Sequence, residues 1–119
     1  MSVSSIYGPA LLDEEIARYQ PGDRESASGR RSEILVKTDD LRVLLVTMRE
    51  GATLAEHSAP GTITIHVIAG EMVVEADGAT HELDAGSLVS LAAGVRHSVR
   101  ARSSGAFLLT IAWSSRNVG

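Results

Sequence analysis

The sequence contains no cysteine, few aromatic residues and no long apolar run. Without cysteine, disulfides, thiolate nucleophiles and Cys-ligated metal sites are excluded. No run approaches the roughly 18 apolar residues of a membrane-spanning helix, and the first residues lack the basic start and apolar stretch of a secretion signal. We therefore expect a cytoplasmic protein that does not bind membranes.

The sequence also lacks the features of a nucleic-acid-binding protein. It carries 11 basic and 15 acidic residues, for a net charge of −4, and its arginines form only short clusters. With one Phe, one Trp and two Tyr it has too few aromatic rings for a base-stacking surface. Aliphatic side chains must instead fill the core, and no nucleic-acid partner is expected.

The chain divides into two regions by composition. Residues 1–31 form an N-terminal extension, in which Pro9 and three acidic residues at positions 13–15 predict a short helix over residues 10–19. Residues 20–31 are rich in Pro, Gly, Ser and charge, which predicts a flexible connector. Residues 32–119 are predicted to form one β-domain.

The second region consists of short β-type runs separated by turn residues. The runs cover residues 33–37, 41–48, 62–68, 71–75, 87–91, 98–102 and 107–113. Asp77-Gly78 predicts a type I′ hairpin turn. Short strands with frequent turns and no long helices between them predict an all-β, antiparallel sandwich or barrel.

Two stretches that are rich in glycine resemble the two sequence motifs of the cupin superfamily. The first runs without gaps from Gly51 through His57 to Gly70, and the second runs from Gly86 to His97 and beyond. The chain therefore resembles a small, single-domain, RmlC-like protein of the cupin-2 type over about residues 34–113. The resemblance implies a jelly-roll barrel, or double-stranded β-helix, and a homodimer.

In cupins, three His and one Glu point into the barrel and hold a divalent metal, commonly Fe, Mn, Ni or Zn. Here His57 and His97 stand at two of these four positions, whereas Ala59 and Ile63 occupy the others. The metal motifs are therefore degenerate, and the resemblance implies at most a weak metal site at the two histidines.

A third histidine, His66, is a further candidate ligand. Strand side chains alternate between faces, so His66 should point away from the barrel if Ile63 points inward. A β-bulge near Pro60 and Gly61 would reverse that expectation. The same alternation predicts that Glu56, next to His57, lies on the surface.

Three functions remain open. In the first, the protein binds a small molecule in an apolar barrel pocket lined by Ile63, Ile65 and Val99, with His57 and His97 as polar anchors. In the second, the histidines hold a metal for an oxygenase-type or isomerase-type enzyme. In the third, the chain is a structural dimerisation module that pairs through an exposed edge strand, and the histidines are a relic pair that only hydrogen-bonds.

Overall fold

The computed structural model describes residues 6–20 and 28–112, which form one short helix and nine strands. The elements are α1 (Leu12–Arg18), β1 (Arg30–Lys37), β2 (Leu41–Met48), β3 (Thr53–His57), β4 (Ile63–Ala69), β5 (Met72–Ala76), β6 (Ala79–Leu83), β7 (Leu88–Leu91), β8 (His97–Ala101) and β9 (Gly105–Ala112). The strands make two antiparallel sheets, a five-stranded sheet in the order β1-β2-β9-β4-β7 and a four-stranded sheet in the order β3-β8-β5-β6. The predicted all-β jelly roll with a short N-terminal helix is confirmed.

The core lies between the two sheets. The five-stranded sheet contributes Phe107, Val46 and Ile65, and the four-stranded sheet contributes Met72 and Val74, all almost completely buried. Each such side chain stabilises the fold by roughly 1.5–3 kcal/mol relative to an exposed one. Aliphatic residues and a single Phe therefore hold the two sheets together.

The predicted strands are all present, and β2 has the bounds that were predicted for it. Two strands, β3 and β6, were not among the predicted runs. At the β5–β6 turn, Asp77 and Gly78 have φ angles of 53° and 74°, and two positive φ values are what a type I′ turn requires. The last predicted strand extended to Trp113, which lies outside the described residues.

Helix α1 is shorter than the predicted helix, and no side chain caps its start at Leu11. The residue that follows the helix, Tyr19, contacts the five-stranded sheet. Its carbonyl oxygen accepts a hydrogen bond from Oγ1 of Thr47 on β2, and the guanidinium of Arg31 lies 5.0 Å from its ring centroid. Since the neighbours of Thr47 on β2, Val46 and Met48, belong to the core, Tyr19 lies on the outer face of this sheet.

Strand β1 begins at Arg30, close to the predicted domain start at residue 32. Most of the predicted connector falls in residues 21–27, which lie outside the described residues. The division of the chain at residue 31 stays a prediction. In residues 6–20 and 28–112 there is no helix with the length and hydrophobicity needed to span a membrane.

The β3–β4 loop runs close against the end of β9. A Cβ atom on Gly61 would lie 1.9 Å from the carbonyl oxygen of Ala112, so no side chain fits at that position without moving backbone. No bulge reverses the strand faces there, because Ile63, Ile65 and Val67 are buried in regular alternation along β4. The irregularity of β4 comes later, between Val67 and Ala69.

Candidate functional site

Strands β3 and β8 bring His57 and His97 together. The two residues are direct partners in the antiparallel register, and their ring centroids are 4.2 Å apart with an interplanar angle of 59°. The rings are thus in contact in a tilted arrangement. The fold therefore brings together the two histidines of the separate motifs.

A β-bulge in β3 is responsible for this pairing. Leu54 pairs with Val99 and His57 pairs with His97, so β3 advances three residues while β8 advances two. In β8, His97 and Val99 are both buried and face the core. The extra residue in β3 therefore lets Leu54 and His57 lie on the same face, although they are an odd number of positions apart.

The bulge consists of Ala55 and Glu56, which lie together opposite Ser98. Both bulge residues are exposed. A bulge that places two residues against one typically re-aims the side chain that follows it. The residue that is re-aimed here is His57.

Both imidazoles are fixed by hydrogen bonds to the backbone. Nδ1–H of His57 donates to the carbonyl oxygen of Ala55 at 2.8 Å, and Nδ1–H of His97 donates to that of Val95 at 3.1 Å. A carbonyl oxygen only accepts, so each Nδ1 carries a proton. In the neutral form each Nε2 then presents a lone pair, which is the arrangement that second-shell backbone bonds give to ligating histidines.

The two rings differ in burial. His97 is only 2% exposed, whereas His57 is half-buried. Desolvation lowers the pKa of His97 below its ordinary value of 6.5, and repulsion from His57 adds to this, while the bond to the Val95 carbonyl acts in the opposite direction. His97 is therefore a neutral imidazole at physiological pH.

The residues present do not fit the metal site of the cupin pattern. Ala59 and Ile63, which stand where that pattern has a second His and the Glu, are apolar and pack with the core. In residues 6–20 and 28–112, no group of three or more His, Cys, Asp or Glu side chains is arranged to hold a metal ion. Two imidazoles alone leave half of the positions of a four-coordinate ion, and four of the six of an octahedral ion, without a protein ligand.

His66 does not join the pair. It lies on β4 between the buried Ile65 and Val67, so its side chain is on the opposite, outer face of the five-stranded sheet. Its register partners on the neighbouring strands are Leu88 and Leu108. This is the orientation that simple alternation predicts.

The predicted pocket residues Ile63, Ile65 and Val99 all belong to the buried core. An open cleft of about 750 Å³ lies beside the pair and is lined by residues that flank both histidines in sequence, Glu56, Val95 and Arg96, together with the β5–β6 turn. A second cleft, of about 190 Å³, lies over β3, β8 and β5. Neither of these clefts is lined by the His57 or His97 ring or by Ile63 and Ile65.

A polar contact beside the pair was not predicted. Glu56 is on the surface, as expected, and its Oε1 accepts a hydrogen bond from Nε of Arg96 at 2.6 Å. Glu56 and Arg96 immediately precede His57 and His97, respectively. The signal that could have suggested this contact is the pairing of opposite charges at matching positions in the two motifs.

A sequence profile described as "Cupin domain" matches residues 44–113, which is more than half of the chain. The chain belongs to the cupin family. It is a small cupin of the cupin-2 type with degenerate metal motifs. The search of curated proteins found no match to this cupin.

Solved structures support the fold. An RmlC-like cupin from Shewanella frigidimarina superposes with a TM-score of 0.70 at 20% identity, covering 78% of this chain and 84% of that one. An RmlC-like cupin from Desulfovibrio desulfuricans gives 0.66 at 22% identity and covers 94% and 96%. Salicylate 1,2-dioxygenase from Pseudoaminobacter salicylatoxidans gives 0.69 at 19% identity and covers 85% of this cupin and 31% of that chain.

Proposed function

We propose that this cupin binds a small molecule, with His57 and His97 as the polar anchors and Ile63, Ile65 and Val99 as apolar contacts. The observation that carries the proposal is the pair of touching imidazoles whose Nδ1–H groups are both bonded to backbone carbonyls. Few polar groups at fixed positions beside apolar side chains are the usual composition of a ligand site.

The hydrogen-bonding capacity of the pair suggests the chemistry of the ligand. When neutral and protonated on Nδ1, each imidazole accepts at Nε2, and the pair then offers two adjacent acceptors. A hydroxyl or an amine donates to such acceptors, whereas an ionised carboxylate cannot. We therefore propose a neutral, hydroxylated ligand with an apolar skeleton, gaining about 0.5–1.5 kcal/mol for each hydrogen bond.

The alternative is a metal-dependent enzyme of the oxygenase or isomerase type, in which the same Nε2 atoms hold Fe, Mn, Ni or Zn. Its support is that one imidazole of each motif remains and that a structural neighbour is a dioxygenase. Against it stand Ala59 and Ile63, which supply no donor atom. The binding function is the better supported of the two.

The test is an NMR titration of tag-free protein with neutral diols and phenols, each compared with its methyl ether. His57→Phe and His97→Phe keep a ring but remove Nε2, and His66→Phe is the matched control on the outer face. We expect shifts with hydroxylated probes in wild type and in His66→Phe, and their loss in the other two variants. Equal shifts with the ethers would refute the proposed anchors.

Elemental mass spectrometry on the same proteins tests the alternative. After exposure to iron, manganese, nickel and zinc, near one equivalent of metal that is lost in both His57→Phe and His97→Phe would favour the enzyme. Absence of bound metal, combined with probe binding, would favour the binding function.

We also propose that the cupin is a homodimer that pairs through the five-stranded sheet. The edge strands β1 and β7 of this sheet carry Ile34 and Leu88, which are 55% and 66% exposed. Large exposed apolar side chains on edge strands favour association with another chain. A two-fold dimer pairs one edge with the same edge of its copy, so symmetric pairing of β7 with β7 would bury Leu88.

A further inference from the structure

The bulge in β3 has a competing arrangement. If β3 paired regularly with β8 beyond Leu54, Glu56 would lie opposite His97 and face inward, and His57 would turn to the outer face. The bulged arrangement leaves one residue of β3 without its own partner in the ladder. Some interaction must favour the bulge over the regular register.

The contact between Glu56 and Arg96 favours the bulged register over the regular one. It joins Glu56, in the bulge, to Arg96, which directly precedes β8, by a 2.6 Å hydrogen bond between oppositely charged groups. The contact exists only while the Glu56 side chain stays on the outer face. It would be lost in the regular register, which would also bury the Glu56 carboxylate beside His97.

We infer that Glu56 and Arg96 are positioning residues, which hold the β3 bulge in place and so keep His57 turned toward His97. They act on the site through the orientation of His57. The consequence for ligand binding rests on the proposed function, whereas the orientation of His57 does not. Charge-assisted hydrogen bonds are short and directional, so they suit the selection of one local geometry.

A second ion pair on the same sheet provides a matched control. Arg102 Nη1 lies 2.9 Å from Glu82 Oε1, and its Nε lies 3.9 Å from Glu71 Oε2. These side chains are exposed, as are those of Glu56 and Arg96. Exposed ion pairs of this kind contribute about 0–1 kcal/mol to global stability. Removal of either pair should therefore change the melting temperature little and to a similar extent.

The experiment measures the NOE between the ring protons of His57 and His97 in protein without ligand. We expect this NOE to be lost or weakened in Glu56→Ala and in Arg96→Gln, together with the Nδ1-protonated signature of His57 in ¹⁵N spectra. It should persist in Glu82→Ala and Arg102→Gln. The exchanged double variant Glu56→Arg/Arg96→Glu should restore it.

Each other outcome overturns the inference. An unchanged NOE in Glu56→Ala and Arg96→Gln would mean that the bulge forms without the ion pair between Glu56 and Arg96. Loss in all four single variants would indicate a general loosening of the sheet, and loss without rescue in the exchanged variant would exclude the ion pair as the cause. Because the spectra need no ligand, failure of this inference and failure of the proposed ligand binding are distinguishable.

Discussion

The two sheets present different chemistry to the interior that they share. The four-stranded sheet carries both imidazoles of the site, on β3 and β8, whereas the five-stranded sheet faces them with Ile63, Ile65 and Val67. In the cupin pattern a carboxylate stands at position 63, so both sheets would supply ligands. Here the imidazoles are confined to one sheet, so the interior between the sheets has one polar and one apolar side.

The largest expected effect is a loss of stability when an apolar core residue of the five-stranded sheet is truncated. Among residues 6–20 and 28–112, Phe107 is the largest fully buried side chain, with 0% exposure. We expect Phe107→Ala to reduce the free energy of unfolding by about 3–5 kcal/mol, because it leaves a cavity in the core. The measurement is urea denaturation, with the half-buried Leu108→Ala as the control. An equal decrease in the free energy of unfolding for both variants would contradict the central role of Phe107 in the core.

Restoring metal-ligating side chains at positions 59 and 63 would sharpen the comparison between the two sheets. We expect Ala59→His/Ile63→Glu to bind one Ni²⁺ and to gain about 2.7 kcal/mol in the free energy of unfolding when Ni²⁺ is at a hundred times its Kd. Without metal the variant should be less stable than wild type, because Ile63 is buried.

Thermal denaturation with and without Ni²⁺ checks this expectation. The control adds His97→Phe to the same two substitutions, which should abolish the gain. A gain that persists in this control would mean that the metal binds elsewhere.

His97, on the four-stranded sheet, should also make the free energy of unfolding depend on pH. The pKa of His97 is lowered from 6.5 mainly by desolvation, so the unfolded chain binds the proton more tightly than the folded protein does. This contribution to stability is complete above the unfolded pKa, near 6.5, and is lost as pH falls toward the folded pKa. Urea denaturation from about pH 5 to 7.5 should show the loss, and a slope that is unchanged in His97→Phe would contradict it.

The smallest effect on the fold is expected at the sheet edges. Leu88→Glu should change the free energy of unfolding by no more than about 0.5 kcal/mol in the monomer, because the side chain is exposed. It should nevertheless shift the proposed dimer to monomer in light scattering after size-exclusion chromatography. His81→Glu, on edge strand β6 of the other sheet, should leave the dimer intact. Dissociation by both variants would argue against an interface on the five-stranded sheet.

The strands that were missed show what periodicity can detect. Strand β2 was predicted with its bounds because it is an apolar run that is buried over much of its length. Strand β6 is exposed at all positions but Leu83, so its sequence shows no alternation of apolar and polar residues. Strand β3 contains the bulge, which breaks the alternation that would have revealed it.

The site was predictable only in part. The spacing of the cupin motifs singled out His57 and His97, whose rings the fold brings into contact. Strand alternation correctly placed Glu56 on the surface and His66 on the outer face of β4. The backbone bonds of the two Nδ1 atoms and the contact between Glu56 and Arg96 depend on local geometry that crosses two strands. No pattern within a single segment contains that information.

The bulge also changes how the distance between Gly51 and His57 should be understood. The five intervening positions include the extra residue of β3, so this interval records a backbone irregularity as well as a length. A homologue with four intervening residues could direct the same imidazole inward along an unkinked strand. Single-residue gaps at this point in an alignment would therefore separate bulged from regular lineages, even where every histidine is aligned.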